Sequence, residues 1–317
     1  MAEDVVIKRN KEKRGMLSWQ ARVLEIYFRV QRAFAPKGGE VDVLKERVDL
    51  DKLGAMFKLP KGVKAVKESA GGVPAEWLTP PDVSNGRVVL YLHGGSYMSG
   101  SCNSHRPLAA NIAIVSKARV LTLDYRLAPE HPHPAAVEDA VAAYKWLIDG
   151  RVDPKHLAIA GDSAGGGLVI ALLISLRDAK IPLPAACVCL SPWTDLAFTG
   201  ETWKSKISVD LIIHAYKEHA FAKMYMGGLD PKTPLVSPLY ADLKGLPPLL
   251  VQVGTDEVLL SDAIRLVERA KQDGVNAVID EWKGMQHVWQ FAGSFMPEGR
   301  RAVTGIGEFI DRNCGSA

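Results

Sequence analysis

The feature that most constrains the fold is a serine placed between an apolar run and a helical pattern. Residues 157–161, Leu-Ala-Ile-Ala-Gly, predict a buried strand, and an Ala- and Leu-rich helical pattern begins just after Ser163. Gly161 and Gly165 flank this serine at two residues' distance, where small residues permit a sharp turn. In a chain with 28 glycines among 317 residues the G-x-S-x-G pattern also arises by chance. Its position between strand and helix favours a nucleophilic serine at a helix N-terminus, where the dipole stabilises developing negative charge.

Composition indicates a large globular chain. With 47% hydrophobic residues the chain can bury a large core, as one domain or as a domain with a lid. The net charge is +3, and the basic residues form no stripe with interleaved aromatics, which argues against nucleic-acid binding. The N-terminus lacks the apolar core of a signal peptide and no run reaches membrane-span length, so we expect a cytoplasmic protein without stable membrane association. The cysteines show no metal-ligand spacing and are predicted to be inert thiols: Cys102, Cys187, Cys189 and Cys314.

Strand and helix patterns alternate along most of the chain, which predicts an α/β fold with a mostly parallel sheet and helices on both faces. Eight extended runs predict eight strands, at residues 63–68, 73–78, 88–92, 118–123, 157–161, 185–190, 248–253 and 277–282. Helical patterns cover 104–116, 135–147, the segment from Ser163 to 178, a segment ending near 272, and 298–313.

Two segments lie outside this alternation. Residues 17–35 carry apolar side chains at helical spacing, and residues 197–235 insert a Trp-, Tyr-, Phe- and Met-containing helical stretch between strands. Because α/β proteins bind ligands at the carboxyl ends of parallel strands, we expect these segments to form a helical cap over that edge. The expected organisation is N-terminal cap helices at 1–50, an α/β domain at 51–196 and 236–317, and inserted cap helices at 197–235. Ordinary packing on the domain is the alternative for both segments.

Three side chains able to form a catalytic triad follow strand ends. Ser163, Asp256 and His287 each come just after a predicted strand, and parallel strands bring these ends to one edge of the sheet. A serine hydroxyl is a poor nucleophile at neutral pH and needs an imidazole oriented by a carboxylate. Glu257 and Asp262 are competing acids, but their deeper position in a helical pattern favours capping or ion pairing. Asp256 is therefore the predicted acid.

A Gly-Gly pair supplies the predicted oxyanion hole. Gly94 and Gly95 directly follow the third predicted strand, where the backbone can expose its N–H groups, and Ala164 follows the serine. A plain turn would also use Gly-Gly. His93 is expected to hold this loop in place. The other histidines show no partner pattern and are predicted to lie on the surface or in loops: His105, His131, His133, His156, His214 and His219.

Together these motifs resemble the hormone-sensitive-lipase-like esterases, the bacterial family IV carboxylesterases, over about residues 88–290. The resemblance is carried by H-G-G at 93–95, D-Y-R-L-A-P-E at 124–130, G-D-S-A-G at 161–165, S-P-W-x-D at 191–195, and the Asp256 and His287 segments. It implies an α/β-hydrolase fold with a helical cap, no cofactor, and hydrolysis of short- to medium-chain acyl esters by Ser163, His287 and Asp256. No metal is expected.

One position departs from the family pattern: Ser96 stands where a third glycine is common, which leaves less room for esters of bulky tertiary alcohols. The resemblance also implies a small-molecule ester as partner and a homodimer through the strand at 277–282. Two alternatives stay open. The triad does not distinguish ester from amide or peptide cleavage, and receptors related to this family retain the cap but lose the histidine, which His287 argues against.

Overall fold

The computed structural model describes residues 17–35, 38–83 and 86–315, which contain one eight-stranded sheet. The strands are β1 Lys64–Ala70, β2 Val73–Thr79, β3 Val88–Leu92, β4 Arg119–Leu123, β5 Leu157–Asp162, β6 Ala186–Leu190, β7 Leu249–Gly254 and β8 Ala277–Trp282. They lie in the order β1-β2-β4-β3-β5-β6-β7-β8. The pairings of β1 with β2 and of β2 with β4 are antiparallel, and the others are parallel. The predicted mostly parallel eight-stranded sheet is confirmed.

Helices cover both faces of this sheet, as predicted. They are α1 Trp19–Phe34, α2 Val43–Ala55, α3 Cys102–Ser116, α4 Ala135–Asp149, α5 Ala164–Asp178, α6 Thr202–Ser205, α7 Ala215–Met226, α8 Leu260–Gln272 and α9 Pro297–Asn313. Buried side chains of α3 and α9 form one core layer with alternate strand residues. Those of α4, α5 and α8 form the other layer. Because each buried strand alternates its side chains between these layers, the sheet is held rigidly between them.

The topology brings the predicted site residues to one edge. β3, β5, β7 and β8 run parallel to their neighbours in this part of the sheet. Their carboxyl ends lead directly into the loops that carry Gly94, Ser163, Asp256 with its neighbour Glu257, and His287. Parallel β-strands therefore position four loops that are distant in sequence at the same rim.

The segments expected to form a cap contain helices, but one predicted boundary is misplaced. α2 continues through residue 50 to Ala55, so the expected boundary between residues 50 and 51 falls inside a helix. Residues 1–16 of the expected N-terminal segment lie outside the described residues. The insertion at 197–235 holds α6 and α7. Arg32 of α1 donates to the carbonyl oxygen of Ile213, and Lys217 of α7 pairs with Glu46 of α2, so the two segments contact each other.

Within the described residues, none of the helices has the length and apolar character needed to cross a membrane.

Candidate active site

Ser163 lies on a tight turn between β5 and α5, as the sequence predicts. Its φ is +53°, a left-handed value that costs a non-glycine residue about 1–3 kcal/mol and persists only where the surroundings impose it. The turn depends on its flanking glycines. A Cβ on Gly165 would lie 2.1 Å from the carbonyl oxygen of Leu92, and one on Gly161 would lie 2.5 Å from that of Gly165. The serine N–H also donates to Leu190 O at 2.8 Å, which fixes the turn to β6.

His287 follows β8 and is hydrogen bonded to a buried carboxylate. Its Nδ1 lies 2.8 Å from Oε2 of Glu257, whose side chain is fully buried. The other carboxylate oxygen, Oε1, accepts from the backbone N–H of Gly254 at 2.6 Å and from the hydroxyl of Ser191 at 2.9 Å. With Nδ1 bound to the carboxylate, Nε2 is the ring nitrogen left to act on Ser163.

The carboxylate in contact with His287 is therefore Glu257, and the sequence prediction of Asp256 for this contact was wrong. Asp256 is only partly buried, and its carboxylate accepts from the hydroxyl of the adjacent Thr255 at 3.3 Å. The physical reason is the start of α8. This helix begins at Leu260 rather than immediately after the strand, so Glu257 belongs to an irregular turn that directs its side chain towards the histidine.

The environment of His287 favours the protonated ring. Burial acts to lower its pKa, but the hydrogen bond and charge of Glu257, with a further contribution from Asp210, raise the pKa above the ordinary value of 6.5. An imidazolium formed when the ring accepts a proton is therefore stabilised. This is the property that a general base needs if it must hold a proton during catalysis.

Ser163 and His287 line the same cavity, and the serine hydroxyl makes no side-chain hydrogen bond within the described part of the chain. The hydroxyl is thus free to meet the histidine or a substrate carbonyl. In the absence of substrate, catalytic hydrogen bonds are commonly long and tighten only when the substrate binds.

The predicted oxyanion donors are only partly available. The N–H of Gly94 donates to Oδ1 of Asp162 at 3.1 Å, so the prediction that it would be free for an oxyanion was wrong. Gly94 instead anchors the loop beside the serine, where a Cβ would lie 2.3 Å from Asp162 Oδ2. The N–H groups of Gly95, Ser96 and Ala164 have no partner within the described residues. These three amides are the available donors.

Asp162 is the centre of a buried polar network that sequence reasoning missed. It accepts from the hydroxyl of Tyr91 at 2.7 Å and contacts Nε2 of His105 at 3.2 Å. Burial acts to raise the pKa of Asp162, but the charge and hydrogen bond of His105 and the hydrogen bond of Tyr91 bring the pKa below its ordinary value of 3.8. His105, predicted as a surface or loop residue, is therefore a buried helical residue that braces the Gly94 loop.

The expected role of His93 in holding the loop is supported by its contacts. The ring stacks on Tyr125 with centroids 4.1 Å apart, and its Nδ1 contacts the carbonyl oxygen of Gly94 at 2.8 Å. Burial lowers the pKa of His93 to about 3, so the ring is neutral.

The insertion at 197–235 is bonded to both loops that carry the His287–Glu257 pair. Asp210 accepts from the N–H of Val258 at 2.9 Å, next to Glu257. Gln286, next to His287, accepts from the N–H of Leu211 at 2.7 Å and donates to Val209 O at 3.1 Å. The segment 209–211 thus contacts the acid loop and the histidine loop at the same time.

A cavity of about 360 Å³ opens onto the serine and histidine. Its wall is mostly apolar and comes from α1, α2, α7 and the loop after His287; the larger apolar side chains are Leu24, Phe28, Leu53, Phe57, Phe221 and Trp289. Such a pocket, with a few convergent polar groups at one end, is typical of a small-molecule site.

The described residues contain no cluster of metal-ligand type, and the four cysteines are buried. No group of three His, Cys, Asp or Glu side chains there is arranged to hold a metal ion. All four cysteines are buried and free, and burial raises the pKa of each thiol above its ordinary value. Raised thiol pKa values fit the prediction of inert cysteines.

Comparison with known proteins agrees with this geometry. Residues 89–291 match a family described as alpha/beta hydrolase fold. The chain is 47% identical over 242 residues to an acetyl-hydrolase of Streptomyces hygroscopicus, covering 76% of this chain and 81% of that protein. It is 34% identical over 261 residues to an esterase of Acinetobacter venetianus, covering 82% of this chain and 86% of that protein.

Solved structures show the same kinship. The crystal structure of an esterase from the bacterial hormone-sensitive lipase family has a TM-score of 0.90 and 44% sequence identity. The match covers 95% of this chain and 100% of the esterase chain. A hormone-sensitive lipase from a metagenome library has a TM-score of 0.89 and 35% identity, covering 93% and 98%. The chain belongs to the α/β-hydrolase superfamily and, within it, to the hormone-sensitive-lipase-like carboxylesterases.

Proposed function

We propose that this carboxylesterase hydrolyses short- to medium-chain acyl esters with Ser163 as nucleophile, His287 as general base and acid, and Glu257 as the carboxylate that orients the histidine. The observation that carries this assignment is the 2.8 Å contact between His287 Nδ1 and the fully buried Glu257 carboxylate, on a ring that shares a cavity with Ser163. This contact selects the tautomer in which Nε2 can accept the serine proton.

The reaction follows from these groups. The oxygen of Ser163 attacks the ester carbonyl while His287 takes its proton, and the resulting imidazolium is stabilised by Glu257. His287 then gives that proton to the departing alcohol oxygen as the carbon–oxygen bond breaks, which leaves an acyl-enzyme. A water molecule repeats the attack with the histidine again as base, and the carboxylic acid and free serine are released.

The tetrahedral oxyanion would be held by backbone amides. Gly95, Ser96 and Ala164 have N–H groups without partners among the described residues, and Ala164 begins α5, where the helix dipole favours negative charge. One donor of this kind contributes about 3 kcal/mol to the transition state. The Asp162 contact to Gly94 fixes the loop, which keeps these donors positioned before substrate arrives.

Cavity size supports a preference for short acyl chains. At about 360 Å³ the cavity lies near the lower end of the range for small-molecule pockets, ~300–1,000 Å³. We assign its cover to a cap formed by the N-terminal helices and the insertion at 197–235, which contact each other through the Glu46–Lys217 pair. Rates with p-nitrophenyl esters from acetate to palmitate should therefore fall steeply beyond medium chain lengths.

Replacement of Ser163 by alanine tests the assignment. The variant should lose esterase activity towards p-nitrophenyl butyrate to the background rate while unfolding at the temperature of the unmodified protein. A fluorophosphonate probe should label the unmodified protein at Ser163 and leave the variant unlabelled. Retention of more than a trace of turnover would refute the proposed nucleophile, and absence of labelling in the unmodified protein would favour a non-catalytic receptor.

Comparing the p-nitrophenyl ester with the matching anilide separates esterase from amidase activity.

A further inference from the structure

Among the described residues that line the cavity, one carboxylate takes no part in the proposed reaction and has no cationic partner. The other acidic side chains lining it have partners: Glu25 pairs with Arg29, Glu46 with Lys217 and Asp49 with Lys45, and Asp162 is hydrogen bonded to Tyr91, Gly94 and His105. Glu218 lines the same cavity, and no Lys, Arg or His of the described residues lies within ion-pair distance of it. An ionised group in a pocket is costly without a partner, so the carboxylate of Glu218 would be stabilised by a cation brought in from outside.

Glu218 is held next to the oxyanion loop. It lies on α7, and its Oε2 accepts a hydrogen bond of 2.8 Å from the hydroxyl of Ser96. Ser96 has a φ of +56°, a left-handed conformation in which glycine is the usual residue. Its side chain gives the loop a contact with the carboxylate that a glycine would lack. The second oxygen, Oε1, has no partner in the described part of the chain.

The groups that face Glu218 leave its charge uncompensated. Its pKa is raised from the ordinary value of 4.5 to about 7, mainly by burial; Asp210 and Glu46 act in the same direction, while the Ser96 hydrogen bond and the His287 charge oppose them. Lys217 is engaged with Glu46 of α2. Burial, with the charges of Arg32 and Lys217, lowers the pKa of His214 to about 4, so this neighbour is neutral near pH 7.

The same helix face supplies an apolar, aromatic neighbour. Phe221 lies three residues after Glu218, which places both side chains on one side of α7, and Phe221 also lines the cavity. A carboxylate beside an aromatic ring is a favourable site for an organic cation, because the carboxylate supplies charge and the ring face supplies a cation–π contact.

We propose that Glu218 is a specificity-determining residue that selects esters carrying a cationic group near the ester bond, such as an alkylammonium. The proposal rests on the proposed function, since it concerns the same cavity. The cation would replace the missing ionic partner of Glu218, and its alkyl groups would contact Phe221. Esters with an anionic group in this position would be disfavoured by like-charge repulsion.

Two pairs of isosteric substrates test the proposal and locate the cation. Butyrylcholine is compared with 3,3-dimethylbutyl butyrate, which replaces the alcohol-side nitrogen by carbon. p-Nitrophenyl 4-(trimethylammonio)butyrate is compared with p-nitrophenyl 5,5-dimethylhexanoate, which does the same on the acyl side. The readout is the ratio of kcat/KM for the cationic ester to that for its neutral isostere, because this ratio is insensitive to a general loss of activity.

In at least one pair the ratio should be roughly tenfold higher in the unmodified protein than in Glu218→Gln. The glutamine oxygen can still accept from Ser96, so only the charge is removed. The ratio should also rise between pH 6 and pH 8, as Glu218 ionises, and lose this rise in Glu218→Gln. Asp49→Asn removes the same charge from a paired cavity residue and serves as the matched control, with its ratio unchanged.

An equal ratio in the unmodified protein and in Glu218→Gln for both pairs would overturn the proposal. An equal fall of the kcat/KM ratio in Asp49→Asn would also overturn the proposal, since it would show a general electrostatic effect of the cavity rather than recognition by Glu218. Either result leaves the triad untouched if the neutral esters are turned over and Ser163→Ala is inactive, so failure of this proposal and failure of the proposed function are distinguishable.

Discussion

Exchange of Glu257 for glutamine changes one oxygen to an NH2 group and has a defined consequence for the histidine. In the structure Oε1 accepts from the backbone N–H of Gly254 and from Ser191, while Oε2 faces Nδ1 of His287. A backbone N–H can only donate. The amide oxygen of the glutamine must therefore remain at the Oε1 position, which places its NH2 group opposite Nδ1.

The magnitude follows from the tautomer. An NH2 group donates to Nδ1, so the neutral ring carries its proton on Nε2 and cannot accept one from Ser163. Trapping a triad histidine in the wrong tautomer lowers kcat by about 10⁴, or about 5.4 kcal/mol at ~1.36 kcal/mol per factor of ten. Asp256→Asn, a substitution at the adjacent acidic residue, is the matched control. Because its carboxylate contacts only Thr255 among the described side chains, we expect kcat to change by about twofold at most.

The assay is the initial rate with p-nitrophenyl butyrate at saturating concentration, with thermal unfolding of each variant as a control for folding. Similar unfolding temperatures together with the large difference in kcat would support Glu257 as the acid. The reasoning is refuted if Asp256→Asn loses more activity than Glu257→Gln while both variants remain folded.

Two further outcomes are expected. Since the base must be neutral and the pKa of His287 is raised above 6.5, kcat/KM for a neutral ester should fall on acidification with a midpoint above pH 6.5; a midpoint below that value contradicts the environment described for the ring. Gly165→Ala should destabilise the fold by at least ~1–3 kcal/mol in urea unfolding, because the new Cβ meets Leu92 O at 2.1 Å. Gly305 lies in the middle of α9, and a Cβ there would have its nearest neighbour at 3.6 Å. Gly305→Ala should therefore raise the free energy of unfolding by about 0.5–1 kcal/mol, and equal unfolding free energies for the two variants would contradict the expectation.

The sheet could be predicted from the sequence because its signals are local. The fully buried strands are short apolar runs that end at a glycine or are followed by a polar or charged residue, and the intervening helices have their own periodicity. The G-x-S-x-G turn needs only neighbours within two residues. These features place Ser163 and His287 correctly at the ends of β5 and β8.

The acid could not be predicted by the same reasoning, because the choice depends on where a helix begins. Asp256 and Glu257 are adjacent, and the start of α8 at Leu260 decides which of them faces the histidine. The long-range contacts of Asp162 were equally out of reach. Its contacts to Gly94 and His105 join residues 68 and 57 positions apart, and no periodic pattern encodes them.

The bonds from segment 209–211 to the loops beside Glu257 and His287 limit how the enzyme can open. If this insertion moved outwards to admit an ester, its hydrogen bonds would displace Val258 and Gln286. The adjacent Glu257 and His287 would then lose their alignment. Access without loss of alignment must therefore come from the other wall of the cavity, where α1 and α2 lie. The insertion would then stay in place, and substrate would enter through movement of the N-terminal helices α1 and α2.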